Sequence, residues 1–295
     1  MQRRLLLLAA PSVLLPEAAH AQARAPRLVA SFSLLADLLR EIAPPGFEVQ
    51  ALVGVDADAH VFEPRPSDAR RVAEADLVVV NGLGFEGWLD RLVRASGYRG
   101  SVLTASRDAI VRRAGPAADP HAWLDVAQAR RYVATMAAAL VVRWPAEADA
   151  VRSRAADYDA RLALLDAQIR QRLGAIPRAQ RRVVSAHDAF GYFGDAYGVD
   201  FLAARGWNPH AEPSAAAVAR LVRQVREQQA HALFLENITD PRLIERIARE
   251  SGARVGGTLY ADALSAPGGP ADTYLRLMAH NVRTLADALG PETSR

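Results

Sequence analysis

"AEADAVRSRAADYDARLALLDAQIRQRLG" (residues 146–174) decides how the rest of the chain is organised. It is a helical run of 29 residues that starts after Pro145 and is stopped by Gly174 and Pro177. At 1.5 Å per residue it would be roughly 40 Å long, more than twice the usual helix. The stretch before it, "DVAQARRYVATMAAALVVRW" (125–144), is helical as well, so no strand pattern interrupts Asp125 to Leu173.

On both sides of this break, short apolar runs alternate with helical patterns. Upstream, strands are expected at 27–31, 47–53, 76–82 and 101–105, and helices at 33–42, 67–75 (with Ser67 as N-cap) and 85–95. Downstream, strands are expected at 181–186, 199–204, 231–237 and 253–259. Helices fall at 190–198, 214–230, 240–252 (with Pro241 in its first turn) and 270–290. Continuous apolar strands separated by helices indicate parallel sheets covered on both faces. The expected fold is α/β: two lobes, each a mostly parallel sheet flanked by helices, joined by one long spanning helix. Residues 24–144 form the first lobe, 145–176 the linking helix and 177–295 the second lobe.

Residues 1–23, "MQRRLLLLAAPSVLLPEAAHAQA", have the layout of a secretory signal: Arg3 and Arg4, an apolar run, then small residues at a cleavage site. The run is broken by Pro11 and Pro16 and is too short to span a bilayer. The chain contains no Cys. It can form no disulfide and offers no thiol for a lipid anchor, so a soluble periplasmic protein is expected. All 36 basic residues are Arg and face 33 acids, for a formal charge of +3. They form no basic stripe interleaved with aromatics, which argues against nucleic acid as a partner. A monomer is expected.

Three histidines share one context. His60 lies in "DADAHVFEP", His121 in "ADPHAWLD" and His187 in "SAHDAFGYF", each at a junction between strand and helix patterns. Asp262, in "TLYADALS", follows the strand ending at Leu259. Ligands of parallel α/β sheets bind beyond the carboxyl ends of the strands. Two of these residues fall in each lobe, so a cleft between the lobes would gather them. Three imidazoles and a carboxylate suit four-coordinate Zn2+; Mn2+ prefers more oxygen. Spacings of about 60 residues match no short zinc motif.

The segments "DAHVFEPRPSD", "DPHAWLD" and "SAHDAFGYFGDAYG" resemble, in order, three ligand motifs of the cluster A-I solute-binding proteins of bacterial zinc and manganese ABC importers. "AEPSAAAVARLV", "LFLENITDPRLIERIARESG" and "GTLYADALS" also look like segments of that family, and the resemblance extends over nearly all of residues 27–290. It implies two α/β lobes, a spanning helix and a metal site between the lobes, with His60, His121, His187 and Asp262 as ligands. Manganese and iron relatives tend to carry Glu at the third position, so His187 points to Zn2+, with Mn2+ or Fe2+ as the alternative. The implied partner is an inner-membrane ABC permease. The chain departs from many zinc members in having "RRAGPAA" (112–118) where they carry a His-rich acidic loop.

Other residues have plainer readings. His210 and His231 are expected to be structural or solvent-facing, and His280, on the last helix, to lie on the surface. Glu236 is expected either to reach the cleft behind a ligand or to serve as a cap or loop contact. Asp119, Asp125 and Asp188 are either caps or orienters of ligand imidazoles. Trp88, Trp123, Trp144 and Trp207 are expected in the core, and the aromatics of "FGYFGDAYG" inside the second lobe. A zinc hydrolase would keep an open water position on the metal. The fourth candidate, Asp262, and the absence of HExxH and G-x-S-x-G motifs argue against an enzyme. The long helix should limit hinge motion, so release would require local loosening of the ligand loops in one lobe when the permease docks.

Overall fold

The structure, a computed structural model, describes residues 24–114, 117–206, 213–227, 230 and 232–290. The expected signal segment 1–23, Trp207, His210 and His231 lie outside the described residues.

The first lobe begins with β1 (Arg27–Phe32), α1 (Ser33–Ile42), β2 (Glu48–Val53), α2 (Pro66–Ala73), β3 (Leu77–Val80), α3 (Leu89–Ser96) and β4 (Ser101–Thr104). The strands form one parallel sheet in the order β2-β1-β3-β4. Alternation of apolar and polar residues is absent from β3: Leu77 to Val80 are all buried, as expected of a strand covered on both faces. A short antiparallel hairpin follows, β5 (Arg113–Ala114) and β6 (Ala117–Ala118), which no strand pattern foreshadowed.

Two helices then run back to back. α4 (Val126–Arg143) is capped by Asp125, whose carboxylate accepts the Ala127 N–H at 2.9 Å. α5 (Ala148–Gly174) has 27 residues and packs against α4, α1 and the C-terminal helix, joining the two lobes. Its buried stripe, Val151, Tyr158, Leu162, Leu165, Ile169 and Leu173, recurs at helical spacing.

The second lobe comprises β7 (Arg182–Ser185), α6 (Gly191–Tyr197), β8 (Asp200–Ala203), α7 (Ala215–Glu227), β9 (Ala232–Glu236), α8 (Arg242–Ser251), β10 (Arg254–Leu259) and α9 (Tyr274–Leu289). Its parallel sheet has the order β10-β9-β7-β8. Read from its other edge, this is the strand order of the first lobe repeated. Each sheet therefore has a switch point between its first and third strands, where crevices open at the carboxyl ends.

One apolar core crosses the lobe boundary. It runs from Leu28, Phe32 and Leu35 through Trp123, Tyr132 and Leu162 to Phe190, Phe193, Tyr274 and Leu285. A smaller one, including Val184, Val222, Leu233 and Ile247, sits under α7 and α8. A shared core opposes rigid-body opening, because separating the lobes would expose it.

Three local expectations are corrected. Ser67 is not an N-cap: α2 begins at Pro66 with Arg65 at the N-cap, and the Asp68 carboxylate reaches back to accept the Arg65 N–H at 2.7 Å. Pro at the first helical position displaced the cap by two residues. Pro241 stands at the N-cap of α8 rather than in its first turn. His280, on α9, is half-buried with its Nε2 3.0 Å from Thr258 O, so it faces β10 rather than solvent alone.

Candidate metal centre

Each of the four singled-out side chains stands beyond a strand or turn that aims it at the cleft. His60 lies in the loop after β2. That loop is pinned to its own lobe by Trp88, whose indole N–H donates to Ala59 O at 2.7 Å, and His60 packs edge-on against Phe85 at 4.6 Å. His121 follows the hairpin and opens a 3-10 turn over Ala122–Leu124. His187 lies two residues past β7, and Asp262 three past β10.

The fold brings these four together: one ligand atom from each lies within 4.8 Å of all the others. His60 Nε2 is 3.3 Å from His121 Nε2 and 3.2 Å from Asp262 Oδ2. His187 Nε2 is 3.1 Å from Asp262 Oδ2, and His121 Nε2 is 3.7 Å from Asp262 Oδ1. The side chains of His121, His187 and Asp262 are fully buried, and His60 is 11% exposed. Among the described residues, His187 Nε2 and both Asp262 oxygens make no well-formed hydrogen bond. Buried polar atoms left so cost free energy unless something else engages them.

Two further carboxylates lie behind the imidazoles. Asp119 Oδ1 meets His121 Nδ1 at 2.8 Å and also accepts the His121 N–H at 3.0 Å. Glu236, at the end of β9, accepts the His187 N–H through Oε1 at 3.0 Å and pairs with His187 Nδ1 through Oε2. Both contacts occupy Nδ1 and leave Nε2 turned to the cleft, the arrangement by which outer carboxylates orient metal-binding imidazoles. Of the residues that the sequence left open, Asp119 and Glu236 thus stand behind the site. Asp125 is a helix cap, and Asp188 is half-buried and raised in pKa by its burial and by Asp119.

Charge balance within the cluster is settled by pairing. Burial works to lower the His187 pKa, but Glu236 and Asp262 outweigh it and hold the ring protonated well above the usual histidine range. Burial likewise works to raise Asp262, yet His187 and His121 keep it well below the usual carboxylate range.

Support that sequence reasoning missed comes from Asn81 and Glu86. Gly82 turns the chain at the end of β3 with φ +85°, where an added Cβ would lie 2.5 Å from Thr104 Cγ2. The turn lets buried Glu86 reach back to accept from Ser31 Oγ and Asn81 N–H, each at 2.6 Å, and from Gly82 N–H at 3.0 Å. Asn81 Nδ2 donates to Pro120 O at 3.0 Å and Tyr132 O–H donates to Asn81 Oδ1 at 2.6 Å, fixing the backbone just before His121. The available signal was an acid four residues after Gly82 in "VVVNGLGFEGW".

The lobes also meet through Arg112, which links Asp119 (3.1 Å) to Asp195 of α6 (2.8 Å). Gly191 makes room for this pair, since a Cβ there would stand 2.3 Å from Arg112 Nη1 and 2.7 Å from Asp119 Oδ2. The α6 aromatics divide. Phe190 stacks on Phe201 within the lobe, whereas Tyr192 Oη accepts the Arg112 N–H and Tyr197 Oη accepts the Val126 N–H, both across the boundary.

The model of the family "Zinc-uptake complex component A periplasmic" matches residues 28–288. The manganese-binding lipoprotein MntA of Halalkalibacterium halodurans is 35% identical over 264 residues, 89% of this chain and 88% of the relative. The iron-binding protein YfeA of Yersinia pestis is 31% identical over 270 residues, 90% of this chain and 86% of the relative. Among solved structures, the periplasmic zinc-binding protein TroA of Treponema pallidum superposes with a TM-score of 0.86 at 26% identity, covering 90% of this chain and 100% of that one. With its paired parallel sheets, its joining helix and this match over most of its length, the chain belongs to the periplasmic zinc-uptake component A family, whose members are metal-binding components of ABC importers rather than enzymes.

Proposed function

We propose that the protein captures Zn2+ in the periplasm between its two lobes and delivers it to an inner-membrane ABC permease. The ligands in this reading are His60, His121 and His187 through Nε2 and Asp262 through its carboxylate. One observation carries it. Four donors placed about 2.1 Å from a common centre in a tetrahedron stand about 3.4 Å apart. Three of the six separations, 3.3 Å from His60 to His121, 3.2 Å from His60 to Asp262 and 3.1 Å from Asp262 to His187, fall close to that edge, and all four donors lie within 4.8 Å of one another. Each lobe supplies two donors, so the ion bridges them. Three nitrogens and a carboxylate favour zinc over manganese by ligand type.

A second reading, Mn2+ or Fe2+ as cargo, is favoured by the relatives named for manganese and iron. Purification without added metal, metal analysis, and competition between Zn2+ and Mn2+ decide between them. One zinc per chain, not displaced by excess manganese and lost in His187→Ala, is the expected result. Preferential retention of manganese would overturn the zinc assignment. With no Cys in its 295 residues to carry a lipid, the protein is proposed to act as a soluble periplasmic protein, which cell fractionation tests.

A further inference from the structure

Asp56 lies in the loop that leaves β2 and carries His60, and its φ of 50° puts a non-glycine residue in the left-handed region. Aspartate enters that region at lower cost than most side chains because its short carboxylate bonds nearby polar groups. Here those bonds cross the cleft. The Asp56 N–H donates to Leu264 O at 2.8 Å. Its Oδ1 accepts from Asn237 Nδ2 at 2.9 Å, and its Oδ2 accepts the Ala266 N–H at 3.1 Å. Leu264 and Ala266 follow Asp262, and Asn237 follows Glu236. One exposed residue of the first lobe therefore ties the His60 loop to both second-lobe loops that hold Asp262 and the carboxylate behind His187.

His60 is the partly exposed member of the four, so an ion that enters or leaves passes its loop. A shared core holds the lobes together elsewhere, which leaves loop motion as the route for exchange. We propose that Asp56 is a positioning residue for metal retention: it clasps the His60 loop shut across the cleft mouth and slows dissociation of a bound divalent cation without joining the ligand shell. This rests on the metal-capture reading above.

The test is stopped-flow release of Zn2+ into excess chromophoric chelator, with association measured in parallel, for wild type, Asp56→Gly and Asp56→Asn. Glycine keeps the left-handed backbone and deletes both carboxylate bonds; asparagine keeps one acceptor. The expected result is about a tenfold faster release for Asp56→Gly, an intermediate rate for Asp56→Asn and association within about twofold of wild type. Backbone amides of residues 57–62 should also exchange faster in zinc-loaded Asp56→Gly. Unchanged release, or a loss of affinity carried by association alone, would overturn the proposal. If Asp56→Gly does not fold, Asn237→Ala, which removes the contact to Oδ1, takes its place; release about threefold faster supports the clasp and unaltered release overturns it. A wild type that takes up no metal would sink the capture reading itself, and that outcome is visible before any variant is compared.

Discussion

The indole N–H of Trp123 donates to the carbonyl of Ala261 at 2.8 Å, joining the residue two past His121 to the residue one before Asp262. Trp123 O in turn accepts the Tyr274 O–H at 2.7 Å. The ring is buried and packs against Phe32 at 5.0 Å, Phe85 at 4.9 Å and His121 at 5.4 Å. Trp123 is therefore a core residue, as its sequence context suggests, and also a strut between the two lobes at the level of the site. Trp123→Phe keeps an aromatic ring and leaves Ala261 O buried without its donor. We expect a loss of about 1–3 kcal/mol in chemical denaturation of the metal-free protein. Zinc affinity should fall as well, since the strut ties segments bearing two proposed ligands.

Glu236→Gln should weaken metal binding about 10–100-fold. Gln retains an acceptor for the His187 N–H, but its neutral amide cannot match a carboxylate at Nδ1. The His187 ring then loses the contact that turns Nε2 toward the cleft. Competition against a chelator of known affinity measures the change. A thermal melt of the metal-free variant close to that of wild type would show that the loss is local.

Asp37 makes stability depend on pH. Its carboxylate is buried in the shared core and accepts the Tyr274 N–H at 2.7 Å; burial, opposed by that hydrogen bond, raises its pKa to about 6 from 3.8. The folded state holds the proton more tightly than the unfolded chain does. Its contribution is thus fully present below about pH 4 and is lost as pH rises through about 6. The interval corresponds to about 3 kcal/mol. Asp37→Asn, which keeps an acceptor for Tyr274, should be more stable than wild type at pH 7 by up to that amount. Denaturation between pH 4 and 7 should show a flatter profile for the variant; parallel profiles would refute the assignment.

Metal uptake should release protons. Ligand imidazoles bind as neutral rings, and His187 in the metal-free protein is held protonated well above the usual histidine range by Glu236 and Asp262. Binding near pH 7 should expel at least one proton, and affinity should fall as the medium is acidified. Titration calorimetry in buffers of different ionisation enthalpy counts the protons directly. A count of zero at neutral pH would contradict this picture of the cluster.

Gly191→Ala probes the contact between lobes from the other side. The new methyl would collide with the Arg112 guanidinium and the Asp119 carboxylate. Arg112, partly exposed, can swing away, but fully buried Asp119 cannot do so freely. The expected outcome is a modest change in melting temperature with a several-fold loss of zinc affinity, because Asp119 stands behind His121. Equal affinity in wild type and variant would show that Asp119 keeps its place without this close approach.

The alternation of apolar strands with helical patterns was enough to read two parallel α/β halves and the long helix between them. Burial on both faces writes a continuous apolar run, and a helix writes its own period, whatever its neighbours are. Boundaries were less legible. Pro66 and Asp68 together outweighed Ser67 as the start of α2, and the hairpin around Arg113 and Ala118 is too short to carry a period. The residue types of His60, His121, His187 and Asp262, and their places after strands or turns, were also visible in the chain itself, since they depend on local pattern.

Which atoms meet was decided by tertiary structure alone. Residues up to about 200 positions apart are set within 4.8 Å by the packing of two sheets on one core, and no local period encodes that approach. The same holds for Glu236 behind His187, for Asn81 and Glu86 beneath Pro120, and for Asp56 reaching Leu264, Ala266 and Asn237. Sequence determined which side chains were offered, because chemistry and backbone preference belong to each residue. The fold determined how they are combined, because distance, burial and hydrogen-bond partner are properties of pairs brought together only when the lobes close on their shared core.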